Sequence, residues 1–458
     1  MSLIALDVGT SFIKGAIVEP ESLHVKHIHR VPFPDPLPNR PPLFFEVDPG
    51  QIIAAVRGVI SHLLPHAPGC SGIVMCGQMG GLILVNGRGE PLSNYISWKD
   101  QRAVMSHPSG AGSHFEVMEQ RLSPEERRQL GNEVRPGLPV SFLFWFAEQK
   151  QSLPSKTIAA ALTDFVVANL CETTPETELT NAVGAINLET RDWHHAACSR
   201  LGLAGVHWPL LRDLREPVGR LKIASTTLPC YAPTGDHQCA LAGALIDFDE
   251  LSLNISTGAQ ASVLTRRFQP GGYQTRPYFD GLFLNTVTHI PAGRSLGILL
   301  DLLFELAKAH QVTIEDPWSY VAQEVAKIDD TDLDVDLAFF FSPVGQCGRI
   351  ANIREGNLTI GNLFYAAFRN LAQSCHTCAS RLSAERTWQT LVFSGGLARK
   401  MDLLRQMIVG RFRCRHRLCP SAEDTLIGLL ALAMVIDGIA PTVTGATEIL
   451  RRHEGEIV

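Results

Sequence analysis

Work on phosphates needs a carboxylate to hold a cation, backbone amides that can come close, hydroxyls and a positive charge. Asp7-Val8-Gly9-Thr10-Ser11, with Lys14 just beyond, brings these together near the start of the chain. The Asp7 carboxylate can hold Mg²⁺ directly or through water, while Gly9, Thr10 and Ser11 can donate to phosphate oxygens. A plain hairpin turn favours the same residue types, so the motif alone does not decide. A second carboxylate lies in Gly235-Asp236-His237-Gln238, ahead of the apolar run from Cys239 to Ile246. At a helix start an aspartate reads first as an N-cap, and only second as a functional carboxylate. Thr257-Gly258-Ala259 and Gly395-Gly396 add two small-residue turns, each common at strand ends.

The elements that must carry these groups can be read from periodicity. Leu3 to Val18 is apolar on both sides of the turn Gly9-Thr10-Ser11 and predicts a hairpin. Val31 to Pro49 carries prolines at 32, 34, 36, 38, 41 and 42 and predicts an extended surface loop, with polyproline recognition by a partner as the rival reading. Helical spacing marks 51 to 64, 140 to 149, 163 to 170 and 194 to 201, and strands are expected at 72 to 76 and 82 to 85. After a proline-containing junction at 229 to 234 a second hairpin follows, 251 to 256 and 260 to 264 around Thr257-Gly258-Ala259. Helices at 296 to 310 and 363 to 382 and a strand at 391 to 394 complete the pattern. Alternating strands and helices give an α/β fold, and two like halves predict a cleft with one hairpin on each side. The boundary is placed near residue 232, giving domains 1–232 and 233–458.

Composition narrows the function. The 458 residues are 45% hydrophobic and 19% charged, with a net charge of −6 and no basic block, so nucleic acid is not an expected partner. The apolar run Leu426 to Ile436 ends at Asp437, short of a membrane span, and Asp7 breaks the N-terminal apolar run where a signal peptide would continue. The expectation is a cytoplasmic protein without membrane partner. Eleven scattered cysteines read as small core residues, including the C-x-x-C pair Cys375 and Cys378.

The order of these motifs resembles the FGGY family of carbohydrate kinases. Gly77-Gln78-Met79 with Gly81, and Ile96-Ser97-Trp98-Lys99-Asp100-Gln101-Arg102, are similar to the sugar-binding segments of xylulokinases and sedoheptulokinases. Glu46-Val47-Asp48-Pro49, Asp164, Thr180-Asn181-Ala182 and Trp193 fall where such kinases carry matching residues. Arg276-Pro277-Tyr278-Phe279, Leu284-Asn285-Thr286 and Leu253-Asn254-Ile255-Ser256-Thr257 look most like the sedoheptulokinase-like branch. Ser394-Gly395-Gly396-Leu397-Ala398-Arg399 resembles the adenosine motif. Three departures stand out: Gly80 replaces a His of many xylulokinases, a Lys is missing ahead of Leu143-Phe144-Trp145, and Glu423-Asp424-Thr425 is a looser form of the usual Glu-Glu-Ala.

The resemblance implies two actin-like ATPase (ribonuclease H-like) domains flanking a central cleft that closes on substrate. It implies ATP and Mg²⁺, a small-molecule sugar acceptor, and the option of a homodimer. Asp236 becomes the general base and a substrate contact, with Gln78, Met79, Trp98 and Asp100 on the sugar. Asp7 becomes the Mg²⁺ ligand. Gly9, Thr10, Ser11, Lys14, Thr257, Gly258 and Ala259 surround the phosphates, and Gly395, Gly396 and Arg399 the adenosine. The expected reaction is transfer of the ATP γ-phosphoryl group to a ketose, sedoheptulose first. Xylulose or another ketose or polyol is the alternative, and a catalytically silent sugar or nucleotide sensor is the alternative of another class.

Overall fold

The computed structural model describes residues 1–151, 153–154, 156–383 and 386–453. Two mixed sheets organise it. In the first, Ser2–Val8 pairs antiparallel with Phe12–Glu19, which pairs with His24–Pro32. On its other side Ser2–Val8 runs parallel to Cys70–Gly77, followed outward by Thr226–Tyr231 and Pro217–Ile223. The second sheet repeats the scheme. Glu250–Ile255 pairs antiparallel with Gly258–Thr265, then Phe283–Pro291 and Gln274–Pro277, and parallel with Thr390–Ser394 and Arg415–Leu418 beyond it.

Apolar residues fill both faces of each sheet. Helices Pro49–Leu63 and Leu162–Cys171 cover one face of the first, burying Ile52, Val56, Val59, Phe165 and Val166 against Ile4, Leu6 and Met75. Proline at the first helical position and Asp48, which accepts from Gly50 N–H at 2.7 Å, start the Pro49–Leu63 helix. In the second lobe the long helix Ile360–Leu382 lies on the sheet with Phe364, Phe368 and Leu371 in the core. Cys375 and Cys378 are buried on its inner face as core residues.

The strip between the lobes differs from expectation. The stretch read as a junction at 229 to 234 is sheet: Thr226–Tyr231 is a strand, and Thr234–Gly235 pairs parallel with Cys70–Gly77. Pro229 is tolerated because its strand meets Cys70–Gly77 only at Cys230. The C-terminal helices Asp424–Ile436 and Val443–Arg452 also fold back, packing with Asp236–Gly243 against Leu3, Ala5, Val74 and Cys76 of the first sheet. The proline-rich loop begins only after Pro32, since His24–Pro32 is an edge strand. Among the described residues no helix is long and apolar enough to cross a membrane.

Candidate active site

The sheet register brings the two carboxylates to one end of the first sheet. Asp7 is beside Cys76, and Cys76 beside Thr234, so Asp7 and Thr234 are two strand spacings apart, about 9–10 Å. Two residues later the chain leaves the sheet as helix Asp236–Gly243. That helix crosses Asp424–Ile436 at glycines: a Cβ on Gly243 would lie 1.8 Å from Asp424 O, and one on Gly428 2.0 Å from Cys239 O. The crossing carries Thr425 to Asp7, where its hydroxyl donates to Oδ2 at 2.7 Å.

Burial raises Asp7 above the usual carboxylate range, although Lys14 and Thr425 oppose the shift. Its Oδ1 is buried without a hydrogen-bond partner. Asp236 is pushed up to about 7, first by burial and then by the charge of Asp7, while the His237 N–H pulls the other way. Asp424 is raised to about 6, again chiefly by burial. No set of three or more His, Cys, Asp or Glu among the described residues forms a metal cage. Mg²⁺ held largely by phosphates and water needs only one or two carboxylates, and the free Asp7 Oδ1 fits that need.

The two hairpin turns are where the sequence places them. Gly9 closes the first turn with its N–H on Phe12 O at 3.1 Å, and Thr10 and Ser11 are at its tip. Lys14, opposite Asp7 in the ladder, bonds Glu423 at 2.9 Å and is 3.9 Å from Asp7. In the second turn Thr257 and Gly258 are exposed and Ala259 is buried. Thr257 O accepts from Arg294 N–H at 2.7 Å, tying the tip to helix Gly293–Ala309. Gly395 lies against this hairpin at φ +87°, and a Cβ there would be 2.5 Å from Ile255 O, so glycine is required twice over. Gly396 beside it is exposed. Arg399, expected at the adenosine, spends its guanidinium on Cys419 O and Ser421 O and holds the adjoining loop.

The sugar segments need a similar correction. Met79 faces the Asp236 turn, its sulfur 2.8 Å from where a Cβ on Gly235 would stand. Trp98 is 37% exposed and donates from Nε1 to Thr10 Oγ1 at 3.1 Å. Gln78 is buried behind it, with Nε2 on Gly9 O at 3.3 Å and Oε1 accepting from Thr10 at 3.4 Å, so it braces the first hairpin turn. Asp100 is not open to a sugar. It is fully buried, and both oxygens are taken by Arg102 and by Phe45 N–H at 2.7–2.9 Å. Arg102 pairs also with Glu46 at 2.6 Å and lies over the Phe44 ring. Removing one partner of such a buried cluster strands the others, so Arg102→Ala is expected to cost about 3–5 kcal/mol. Urea unfolding measures it, and a loss below about 1 kcal/mol would place the cluster near neutrality.

Asp164 caps helix Leu162–Cys171 and accepts from Asn181 at 2.7 Å, and Trp193 stacks on Trp208. Thr180 accepts from Gly235 N–H at 3.2 Å and donates to Glu178, pinning the turn before Asp236. Burial holds Asp164 and Glu178 at about 7, as it does Asp236. Each folded value lies above the unfolded one near 4, so these acids stabilise the fold fully at low pH and lose that contribution as pH rises through 7. His237 and His194, held below the ordinary histidine value by burial, oppose this below about pH 6.5, so the melting temperature of the ligand-free protein is expected to fall from about pH 6.5 to about pH 8. Calorimetry across that interval checks it, and a rise would contradict it.

Sequence reading missed two groups. Glu423, Asp424 and Thr425 were visible as a loosened motif, but not as neighbours of Asp7. Buried Glu133, Arg276 and His237, with half-buried Arg135, form a polar cluster between the lobes. Burial opposes ionisation of Glu133, yet Arg135 and Arg276 bring it down to about 2.

Two sheets of one topology, each opening on a hairpin whose turn faces the inter-lobe site, define an actin-like ATPase fold. The chain belongs to the FGGY family of carbohydrate kinases: residues 2–243 match that family's N-terminal domain. It is 24% identical over 255 residues to the xylulose kinase of Bacillus subtilis (strain 168), covering 53% of this chain and 49% of that protein. The chain thus spans about half the length of the curated relatives it matches. Among crystal structures, the gluconate kinase of Lactobacillus acidophilus superposes with a TM-score of 0.83 at 18% identity, covering 98% of this chain and 91% of that one. Plasmodium falciparum glycerol kinase with ADP gives 0.82 at 16% identity, covering 98% and 92%.

Proposed function

We propose that this protein transfers the γ-phosphoryl group of ATP to a hydroxyl of a ketose, with sedoheptulose the first candidate and xylulose or another ketose or polyol the alternative. The observation that carries the reading is Asp236. It is a half-buried carboxylate pushed up to about 7, at a helix start two residues beyond Thr234, which is two strand spacings from Asp7. A base with that value is half ionised near neutral pH and can take the proton of an attacking hydroxyl. Gly9, Thr10, Ser11, Thr257, Gly258 and Ala259 line the phosphates, Lys14 compensates charge beside Asp7, and Gly395 and Gly396 lie at the adenosine. Arg399 supports that loop rather than touching the base. Mg²⁺, when bound through Asp7, neutralises phosphate charge.

Met79 and Trp98 form the acceptor wall, with Gln78 and Asp100 positioning it from behind. Sedoheptulose is favoured over xylulose by the second-lobe motifs and by Gly80. That residue has φ +90°, and a Cβ there would lie 3.0 Å from Gly137 O, so the imidazole found in many xylulokinases has no unstrained place. The lobes, divided near residue 232, would close on substrate and exclude water that would compete for the phosphoryl group. ADP release with Mg-ATP across sedoheptulose, xylulose, other ketoses, polyols and gluconate tests the reading. Turnover confined to ketoses supports it, and turnover on gluconate or a polyol alone would replace the acceptor class.

A further inference from the structure

The segment 131–138 links the second lobe to the acceptor wall. At one end Thr275 N–H donates to Gly131 O at 2.8 Å, and Asn132 Nδ2 donates to Gly271 O at 2.9 Å. At the other, Gly81 N–H donates to Gly137 O at 2.9 Å, and a Cβ on Gly137 would lie 2.2 Å from Trp98 O. Between these anchors stand Glu133 and Arg135. Glu133 pairs with both Arg135 and Arg276, and Arg276 reaches His237 Nδ1 at 2.9 Å, one residue from Asp236. Arg135 therefore borders the same site as the base, but at the remove of several side chains.

Its bonding is incomplete. One terminal nitrogen is within 3.4 Å of Thr288 Oγ1 and His289 Nδ1, and the other pairs with Glu133. Nε, though cut off from solvent, has no partner at all. The side chain as a whole keeps 27% of its surface, so it faces open space rather than a filled core. Beside it His289 is exposed and holds a left-handed backbone, φ +62°, in strand Phe283–Pro291, a strained conformation of the kind that collects at ligand sites. The terminal nitrogen held only at 3.4 Å by Thr288 and His289 can take a nearer acceptor oxygen when one enters.

We infer that Arg135, flanked by His289, is a subsite for the far end of the acceptor, donating to a hydroxyl oxygen on sugar carbons remote from the one phosphorylated. This rests on the kinase reading above and deepens it. An acceptor whose reacting hydroxyl is at Asp236 must extend past Gly80 and Gly137 to meet Arg135. Gly80 and Gly137 are packed against Gly137 O and Trp98 O, so they wall that way closely. A seven-carbon chain reaches further along it than a five-carbon one, so the contact selects for length. A polar contact built for a hydroxyl discriminates strongly against acceptors that leave it unpaired.

The test compares xylulose, fructose and sedoheptulose on wild type, Arg135→Gln and Arg135→Lys, by steady-state turnover and by calorimetric binding with a non-hydrolysable ATP analogue. Arg135→Gln is expected to lose about 10-fold or more in kcat/KM on sedoheptulose, mostly through KM, and less than about 3-fold on xylulose. Arg135→Lys should restore part of the loss. Equal losses on all three sugars, or none, would overturn the subsite. Turnover of xylulose without binding of sedoheptulose by the wild type would overturn it while leaving the kinase reading intact. A wild type that neither binds nor phosphorylates any of the three overturns both. Should Arg135→Gln not fold, His289→Ala at its exposed position reads the same length dependence.

Discussion

Asp236→Asn is expected to lower kcat/KM by about 10²- to 10⁴-fold, the range that a positioned general base supplies. The amide keeps the size of the carboxylate and can still accept the His237 N–H, but it cannot take a proton. Nucleotide and sugar affinity should change little, because the loss is in the transition state. Wild-type kcat/KM should fall about tenfold per pH unit below about 7, as the base protonates. The same substitution should raise the melting temperature at pH 8. There wild type ionises a half-buried carboxylate that feels the charge of Asp7, and the variant does not. Loss of activity with gain of stability separates a catalytic role from a structural one. An aspartate that merely capped its helix would lose stability on substitution.

Gly428→Ala carries the second large effect. The methyl would stand 2.0 Å from Cys239 O, and backbone cannot rotate aside as a side chain can. Helices Asp236–Gly243 and Asp424–Ile436 would have to separate, drawing Thr425 from Asp7 and shifting the start of Asp236. Overpacking of this kind costs about 1–3 kcal/mol where side chains yield, and a backbone clash belongs at or above the top of that range. The expected outcome is a chain that melts well below wild type and has lost most of its turnover. Gly410→Ala is the matched control. It is exposed in helix Asp402–Phe412 with open space around its missing Cβ, and should be stabilising by about 0.5–1 kcal/mol. Similar melting temperatures for the two variants would show that the helix crossing is not tightly held.

What could be read from the sequence was what is local. Each hairpin announces itself, since a small polar turn separates two apolar strands that are neighbours in the chain, and the backbone pairing follows. Asp236 could be found because its motif comes in a recognisable order. Distance along the chain hid the rest. Thr425 reaches Asp7 across 418 positions, and Arg276 reaches Glu133 across 143, and nothing in either segment names the partner. Asp100 shows a different limit. Its partner Arg102 is two residues away and was in view, yet whether a carboxylate faces a sugar or a buried guanidinium depends on Phe44, Glu46 and Trp145 closing over the pair. The strand His24–Pro32 was missed because an exposed edge strand rich in histidine carries too little alternation.

The central claim is that Asp236 hands a sugar hydroxyl to the γ-phosphate. Phosphorus NMR of the protein with Mg-ATP and sedoheptulose follows the phosphoryl group itself. The account predicts a sugar-phosphate resonance growing in step with ADP, with little inorganic phosphate, and its near absence with Asp236→Asn. Sugar phosphate formed at the wild-type rate by the Asn variant, or inorganic phosphate in place of sugar phosphate, would contradict it.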